Sequence, residues 1–367
     1  MSLIKHGGDL RSFAEKCGKK ESEILDFSSN INPWGLPPLA EEIFPQLLAE
    51  VTRYPDPQCE ELCQEIVRHF PLWPENVIAG NGSISLIELA IRVIKPRTAL
   101  LVEPCFTEYR RLLNLAGTQV RSVLLRESEA FQFQTPEILN AMRGVEMVIL
   151  GHPNNPTGSA MPRAELIALL EEARRRNIFV LVDEAFCDWT PELSIAREIK
   201  DNVYFAVSRS LTKFYALAGV RSGFMLGARK FIARLRNLQE TWACNRLAQR
   251  LSIAALRDDA YRTRSLAWFK EESAWMFQEL NKFPEIEVFP SLANFFLVKI
   301  KGSEWQLTFS AFLEKQGFYL RPLADFSGLS DPYFRISLRL REDHEALLKV
   351  MRETFRPHET FVAARPG

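Results

Sequence analysis

A lysine that does amine chemistry must be kept partly deprotonated, and the neighbourhood of position 213 is built from the residue types that arrange this. Ser208-Arg209-Ser210-Leu211-Thr212-Lys213-Phe214 follows an apolar run, sets small hydroxyls beside the amine, and leads to Ala218-Gly219-Val220-Arg221-Ser222-Gly223. That composition is out of character for a solvated face. Gly80-Asn81-Gly82-Ser83 directly precedes a helical segment. Backbone N–H groups and the Ser83 hydroxyl there suit an anion, and Ser83 would also serve as N-cap. Asp183 ends the apolar run Phe179–Val182 and, taken alone, caps the next turn. Gly151-His152-Pro153-Asn154-Asn155-Pro156-Thr157-Gly158 has the chemistry of a surface loop leaving a strand. It would equally place Asn154 and Asn155 at the carboxyl edge of a sheet, where open α/β folds bind ligands. Both readings stand at this level.

The elements that must position these groups are short apolar runs separated by segments of helical period. The runs predict strands at 77–79, 99–102, 120–125, 147–150, 179–182, 203–207 and 223–226, with helices at 84–94 and 163–176 between them. Strands apolar throughout and alternating with helices mean a mainly parallel sheet covered on both faces. A helical stretch is expected over 230–282. Strands at 286–289, 294–300, 318–320 and 334–338, with a helix at 305–315, then give a smaller α+β part. The expected organisation is an arm at 1–45, a large α/β domain at 46–240 and a small domain at 241–367.

Lys plus Arg and Asp plus Glu both number 46, so no field of one sign points to nucleic acid or an anionic membrane. The cysteines at 17, 59, 63, 105, 187 and 244 are scattered. Cys59 and Cys63 lie one helical turn apart, but no second pair completes a zinc set, so no metal is expected. Reduced cysteines, no signal-like start and no long apolar run give the expectation of a cytoplasmic protein.

Taken together, the Lys213 segment, the Gly151–Gly158 loop and Val182-Asp183-Glu184-Ala185-Phe186 occur in an order and spacing that resemble the fold type I pyridoxal-phosphate enzymes. The resemblance implies that fold, with a mainly parallel seven-stranded sheet, and pyridoxal 5'-phosphate as cofactor. It implies that Lys213 forms the Schiff base and that Asp183 faces the pyridine nitrogen. Asn155 would meet the phenolic oxygen and Phe106 would stack on the ring. Asn81, Gly82, Ser83, Ser210 and Arg221 would hold the phosphate. Tyr54, in Arg53-Tyr54-Pro55, would reach the phosphate of a neighbouring subunit, which implies a homodimer. Phe186 stands where many relatives carry a tyrosine, and His152 where an asparagine is common.

The first residues narrow the resemblance. His6-Gly7-Gly8-Asp9 and Asp26-Phe27-Ser28-Ser29-Asn30-Ile31-Asn32-Pro33-Trp34-Gly35 are similar to the start of the L-threonine-O-3-phosphate decarboxylases of cobalamin side-chain assembly. The related histidinol-phosphate aminotransferases usually lack this arm. The resemblance implies a small phosphorylated amino acid held by His6, Gly7, Asn30, Asn155, Arg321 and Arg335. Arg335 would take the α-carboxylate with its planar fork, and Arg321 with the arm would take the phosphate.

Overall fold

Met147, Val148, Ile149 and Leu150 are all buried, yet they divide between two cores: Val148 and Leu150 pack on one side of their strand, Met147 and Ile149 on the other. Period-2 alternation with both faces apolar requires a sheet covered twice. The computed structural model, which describes residues 7–199, 202–330 and 332–355, has that sheet.

The strands in chain order are β1 (Leu25–Asp26), β2 (Val77–Asn81), β3 (Thr98–Glu103), β4 (Gln119–Leu124), β5 (Met147–Gly151), β6 (Phe179–Asp183) and β7 (Phe205–Ser210). They continue as β8 (Ser222–Gly227), β9 (Ile286–Val288), β10 (Phe295–Ile300), β11 (Phe318–Tyr319), β12 (Arg321–Pro322) and β13 (Tyr333–Ser337). The main sheet has seven strands in the order β2-β8-β7-β6-β5-β3-β4. Only β8 runs antiparallel to its neighbours. Helices Gly82–Ile94, Thr107–Leu115 and Arg229–Leu238 cover one face, and Glu60–Val67, Arg163–Arg175 and Arg246–Leu256 cover the other. Beyond them β12, β13, β10 and β9 form a four-stranded antiparallel sheet.

Several expectations are corrected. The stretch 230–282 is three helices, because Asn245 and Asp258 each restart the chain by accepting from Ala248 N–H and Tyr261 N–H. The strand expected at 203–207 is β7, shifted to Phe205–Ser210. It runs into polar residues because Arg209, buried, donates to Glu184 at 2.7 Å and to Asp188 at 2.5 Å. Removing one partner of such a buried pair costs roughly 3–5 kcal/mol, which is why the charge is tolerated only as a set. The strand expected at 318–320 is β11 and ends at Tyr319, and β12 begins two residues later in a different sheet. Helices Leu10–Cys17, Pro38–Leu47 and Arg341–Thr354 were not anticipated. The first segment does not hang free of the core: β1 pairs in parallel with β11, and Phe27 is fully buried.

Candidate active site

The carboxyl ends of β5, β6 and β7 lie side by side, with Gly151 opposite Asp183 and Asp183 opposite Ser208. This register brings the Gly151–Gly158 loop, Asp183 and the Lys213 segment to one edge of the sheet. The cavity there measures about 390 Å³. The two asparagines of the loop part company. Asn154 is buried and donates to Pro104 O and Thr157 Oγ1, both at 2.9 Å, which fixes the loop. Asn155 faces the cavity, and its Oδ1 accepts from Arg335 Nη1 at 2.7 Å, so its Nδ2 is the group left for a ligand.

Asp183 is buried, and burial pushes its carboxyl up to about 6 against the hydrogen bonds that favour the charged form. Its Oδ2 accepts from Tyr109 Oη at 2.6 Å, while Oδ1 has no partner. Lys213 is enclosed, and burial first, then Arg335 and Arg221, bring its amine down to about 8. The backbone that carries it is clamped from the first segment of the chain. Asn32 N–H donates to the Lys213 carbonyl at 3.0 Å, and Asn32 Nδ2 donates to the Phe214 carbonyl at 2.9 Å and to Ser265 Oγ at 2.8 Å.

The anion end is formed by Ser83, Ser210, Thr212 and Arg221, all on the cavity wall, with Ser210 and Thr212 hydroxyls 2.7 Å apart. The helix starts at Gly82 with Asn81 as N-cap, two residues before the expected start, so Ser83 lies in the first turn and is not the cap. Gly82 has φ +74°, and a Cβ there would lie 2.9 Å from Arg221 Nη2. Only glycine lets the guanidinium lie against that turn.

At the other end stand Gly7, Ser28, Ser29, Asn30, Arg321 and Arg335. A Cβ on Gly7 would lie 2.3 Å from the Ser28 carbonyl, so this close approach also requires glycine. Asp26 accepts from Ser28 Oγ at 2.6 Å and from Ser29 Oγ at 2.5 Å, which shapes the turn. Asn30 Oδ1 accepts from Ser337 Oγ at 2.5 Å. Arg335 is buried, donates its second Nη to Ser28 O at 2.6 Å, and has Nε unpartnered.

Of the residues expected at the site, Lys213, Asp183, Ser83, Phe106, Asn155, Ser210, Arg221, Gly7, Asn30, Arg321 and Arg335 line the one cavity. Asn81 and Gly82 do not line it, although they open the helix that carries Ser83. Tyr54 does not: it is 75% exposed and stacks on Trp242 with centroids 4.4 Å apart. His6 lies outside the described residues. Sequence reasoning passed over Tyr109, Ser28, Ser29, Thr212, Phe326 and the Asn32 clamp. Phe186 does line the cavity, packed edge-on against Phe295.

A cofactor with a ring nitrogen, an aldehyde and a phosphate fits this set: an orphaned buried carboxylate oxygen, an amine of lowered basicity, and a glycine cradle with an arginine against it. The fold and the site thus define a fold type I pyridoxal-phosphate enzyme. The chain belongs to the aminotransferase class I and II family, whose model matches residues 22–350. It is 35% identical over 350 residues to a threonine-phosphate decarboxylase of Salmonella typhimurium, covering 95% of each chain. It is similar to the solved histidinol-phosphate aminotransferase of Clostridium acetobutylicum, with TM-score 0.84 and 30% identity over 90% of this chain and 98% of that one. The histidinol-phosphate aminotransferase of Sinorhizobium meliloti, solved with pyridoxal-5'-phosphate, shares the fold: TM-score 0.85, 20% identity, 96% and 95% covered. Among the described residues no helix is long and apolar enough to cross a membrane.

Proposed function

We propose that this chain is a carboxy-lyase that converts L-threonine O-3-phosphate to (R)-1-aminopropan-2-ol O-2-phosphate, a step of cobalamin biosynthesis. The observation that carries the reading is a pair of buried arginines, Arg321 and Arg335, opening on the cavity of Lys213 together with Gly7, Ser28 and Asn30 of the first segment. Two cations suit a ligand with an anion at each end. The similarity to the Salmonella threonine-phosphate decarboxylase supports the same substrate.

Bound pyridoxal phosphate supplies an electron sink for the bond broken at the substrate α-carbon. Lys213 would hold the cofactor through Nζ and, once the substrate amine has displaced it, return a proton to Cα in place of the carbon dioxide lost. Asp183 keeps the ring N–H paired, and Tyr109 keeps Asp183 ionised. Arg335 would grip the α-carboxylate and so orient the bond to be broken at Cα. Arg321 would take the phosphate, with the turn at Ser28–Asn30 on the same cavity wall, and His6 is a further substrate contact by the resemblance alone. Ser83, Ser210 and Arg221, on the helix start formed by Asn81 and Gly82, hold the cofactor's own phosphate. Phe106 stacks on the ring, and Asn155 Nδ2 donates to its phenolic oxygen.

The protein works as a cytoplasmic homodimer in which Tyr54 completes the neighbouring site. Exposed Leu48, Val51, Tyr54 and Trp242 supply apolar surface for that contact.

A second reading, an aminotransferase for histidinol phosphate, is favoured by the similarity to the Clostridium enzyme. The two separate by turnover. The leading reading expects consumption of phosphothreonine with no oxo-acid acceptor. Faster consumption of histidinol phosphate with 2-oxoglutarate would replace it.

A further inference from the structure

The two arginines at the substrate end of the cavity are not equivalent. Arg335 donates to two neutral oxygens, Asn155 Oδ1 and Ser28 O. Arg321 is already paired with an anion: its Nη2 donates to Asp325 Oδ2 at 2.6 Å, and its Nη1 to the carbonyl of Pro322. Its guanidinium carbon lies 5.4 Å from the ring centroid of Phe326, which itself lines the cavity. Asp325 sits in a segment anchored on the far side as well. Ser327 Oγ donates to Glu103 Oε2 at 2.9 Å, and Glu103 is gripped by Arg110 at 3.0 and 2.8 Å. The Asp325 side chain is 32% exposed, so it has water to move into.

A dianionic phosphate that reaches Arg321 therefore meets a guanidinium already neutralised by a carboxylate. Two anions on one guanidinium repel, and the pair cannot both keep their best geometry. The phosphate has the larger charge and three strong acceptor oxygens, and it wins the exchange where a weaker anion or a neutral hydroxyl does not.

The geometry points to Asp325 as a specificity-determining residue, an internal carboxylate that occupies Arg321 until the substrate's phosphate displaces it. This rests on the reading of Arg321 as the phosphate-binding group. In the resting enzyme Asp325 keeps Arg321 from being a buried, unpaired cation. On binding, it hands the guanidinium over and turns out to solvent. Ligands without a phosphate leave the Arg321–Asp325 pair intact and gain nothing at that end of the cavity.

The test uses the holoenzyme and two ligands that carry no carboxylate and are not decarboxylated: 1-aminopropan-2-ol O-2-phosphate and 1-aminopropan-2-ol. Calorimetry gives the ratio of their affinities. Asp325→Asn removes the competing charge and should raise that ratio about tenfold, equivalent to about 1.4 kcal/mol. It does so by tightening the phosphorylated ligand alone. Asp325→Ser, which cannot mimic the carboxylate either, should do the same and guards against a local effect of the amide. Arg321→Gln should collapse the ratio. If Arg321→Gln collapses it but both Asp325 variants leave it unchanged or lower it, the exchange is refuted and the phosphate reading survives. If Arg321→Gln leaves the ratio intact, the phosphate reading fails and the exchange falls with it.

Discussion

Replacing Arg335 by glutamine should separate ligands by whether they carry an α-carboxylate. Arg335 is buried, commits one proton each to Asn155 Oδ1 and Ser28 O, and keeps Nε without a partner. The remaining donors of the fork are what a carboxylate can use. A charge-assisted hydrogen bond is worth about 1.5–3 kcal/mol net, so losing the fork should weaken phosphothreonine roughly 10- to 150-fold. Aminopropanol phosphate has no carboxylate and should lose little. Arg335→Lys keeps the charge but not two parallel donors, and should fall between. A second readout follows from charge alone. Arg335 is the largest influence after burial that lowers the Lys213 amine to about 8. A positive neighbour disfavours the protonated amine, so removing it should raise that value. Competition assays with both ligands, and the pH dependence of cofactor attachment to the apo protein, give the two numbers. If both ligands weaken equally, Arg335 acts only as a prop for Asn155 and Ser28, and the carboxylate grip is wrong.

Bonding of pyridoxal phosphate to the apo protein needs Lys213 unprotonated. Its rate should climb through about pH 8 and level off above, rather than climb through the ordinary 10.5. A midpoint near the ordinary value, or a borohydride-reduced label on another lysine, would refute the assignment. Tyr109→Phe removes a 2.6 Å hydrogen bond from a buried carboxylate that already sits at about 6, and so raises it further. Cofactor retention measured by equilibrium dialysis should weaken about tenfold, in line with a charged hydrogen bond. Unchanged retention would mean that Tyr109 does not support Asp183.

What was legible in the sequence was what is local. The buried strands announce themselves because Met147–Leu150 and Phe179–Val182 are apolar on both faces, and Lys213 stands out because a lysine after such a strand needs a reason. The helix breaks at Asn245 and Asp258 have a local signal, since each is a good N-cap, but the apolar pattern on either side hid them. The contacts that tune the site were not legible. Tyr109 and Asp183 are 74 positions apart, and Asn32 and Phe214 are 182 apart. Hydrogen bonds between such residues leave no period and no local composition to read. The arm misled for the same reason: its glycines and prolines describe turns, while its burial comes from β11 and Phe318, almost three hundred positions away. Arg209 shows the converse, a charge that reads as a strand end until Glu184 and Asp188 are brought to it.

In the proposed reaction the bond broken at Cα is the one to the carboxylate. This is tested most directly with phosphothreonine labelled with carbon-13 in the carboxyl group, incubated with the holoenzyme with and without 2-oxoglutarate. Decarboxylation should release the label as carbon dioxide and bicarbonate at the same rate in both mixtures, with aminopropanol phosphate as the phosphorus-containing product. Label retained in a phosphorylated oxo acid, formed only when 2-oxoglutarate is present, would contradict it.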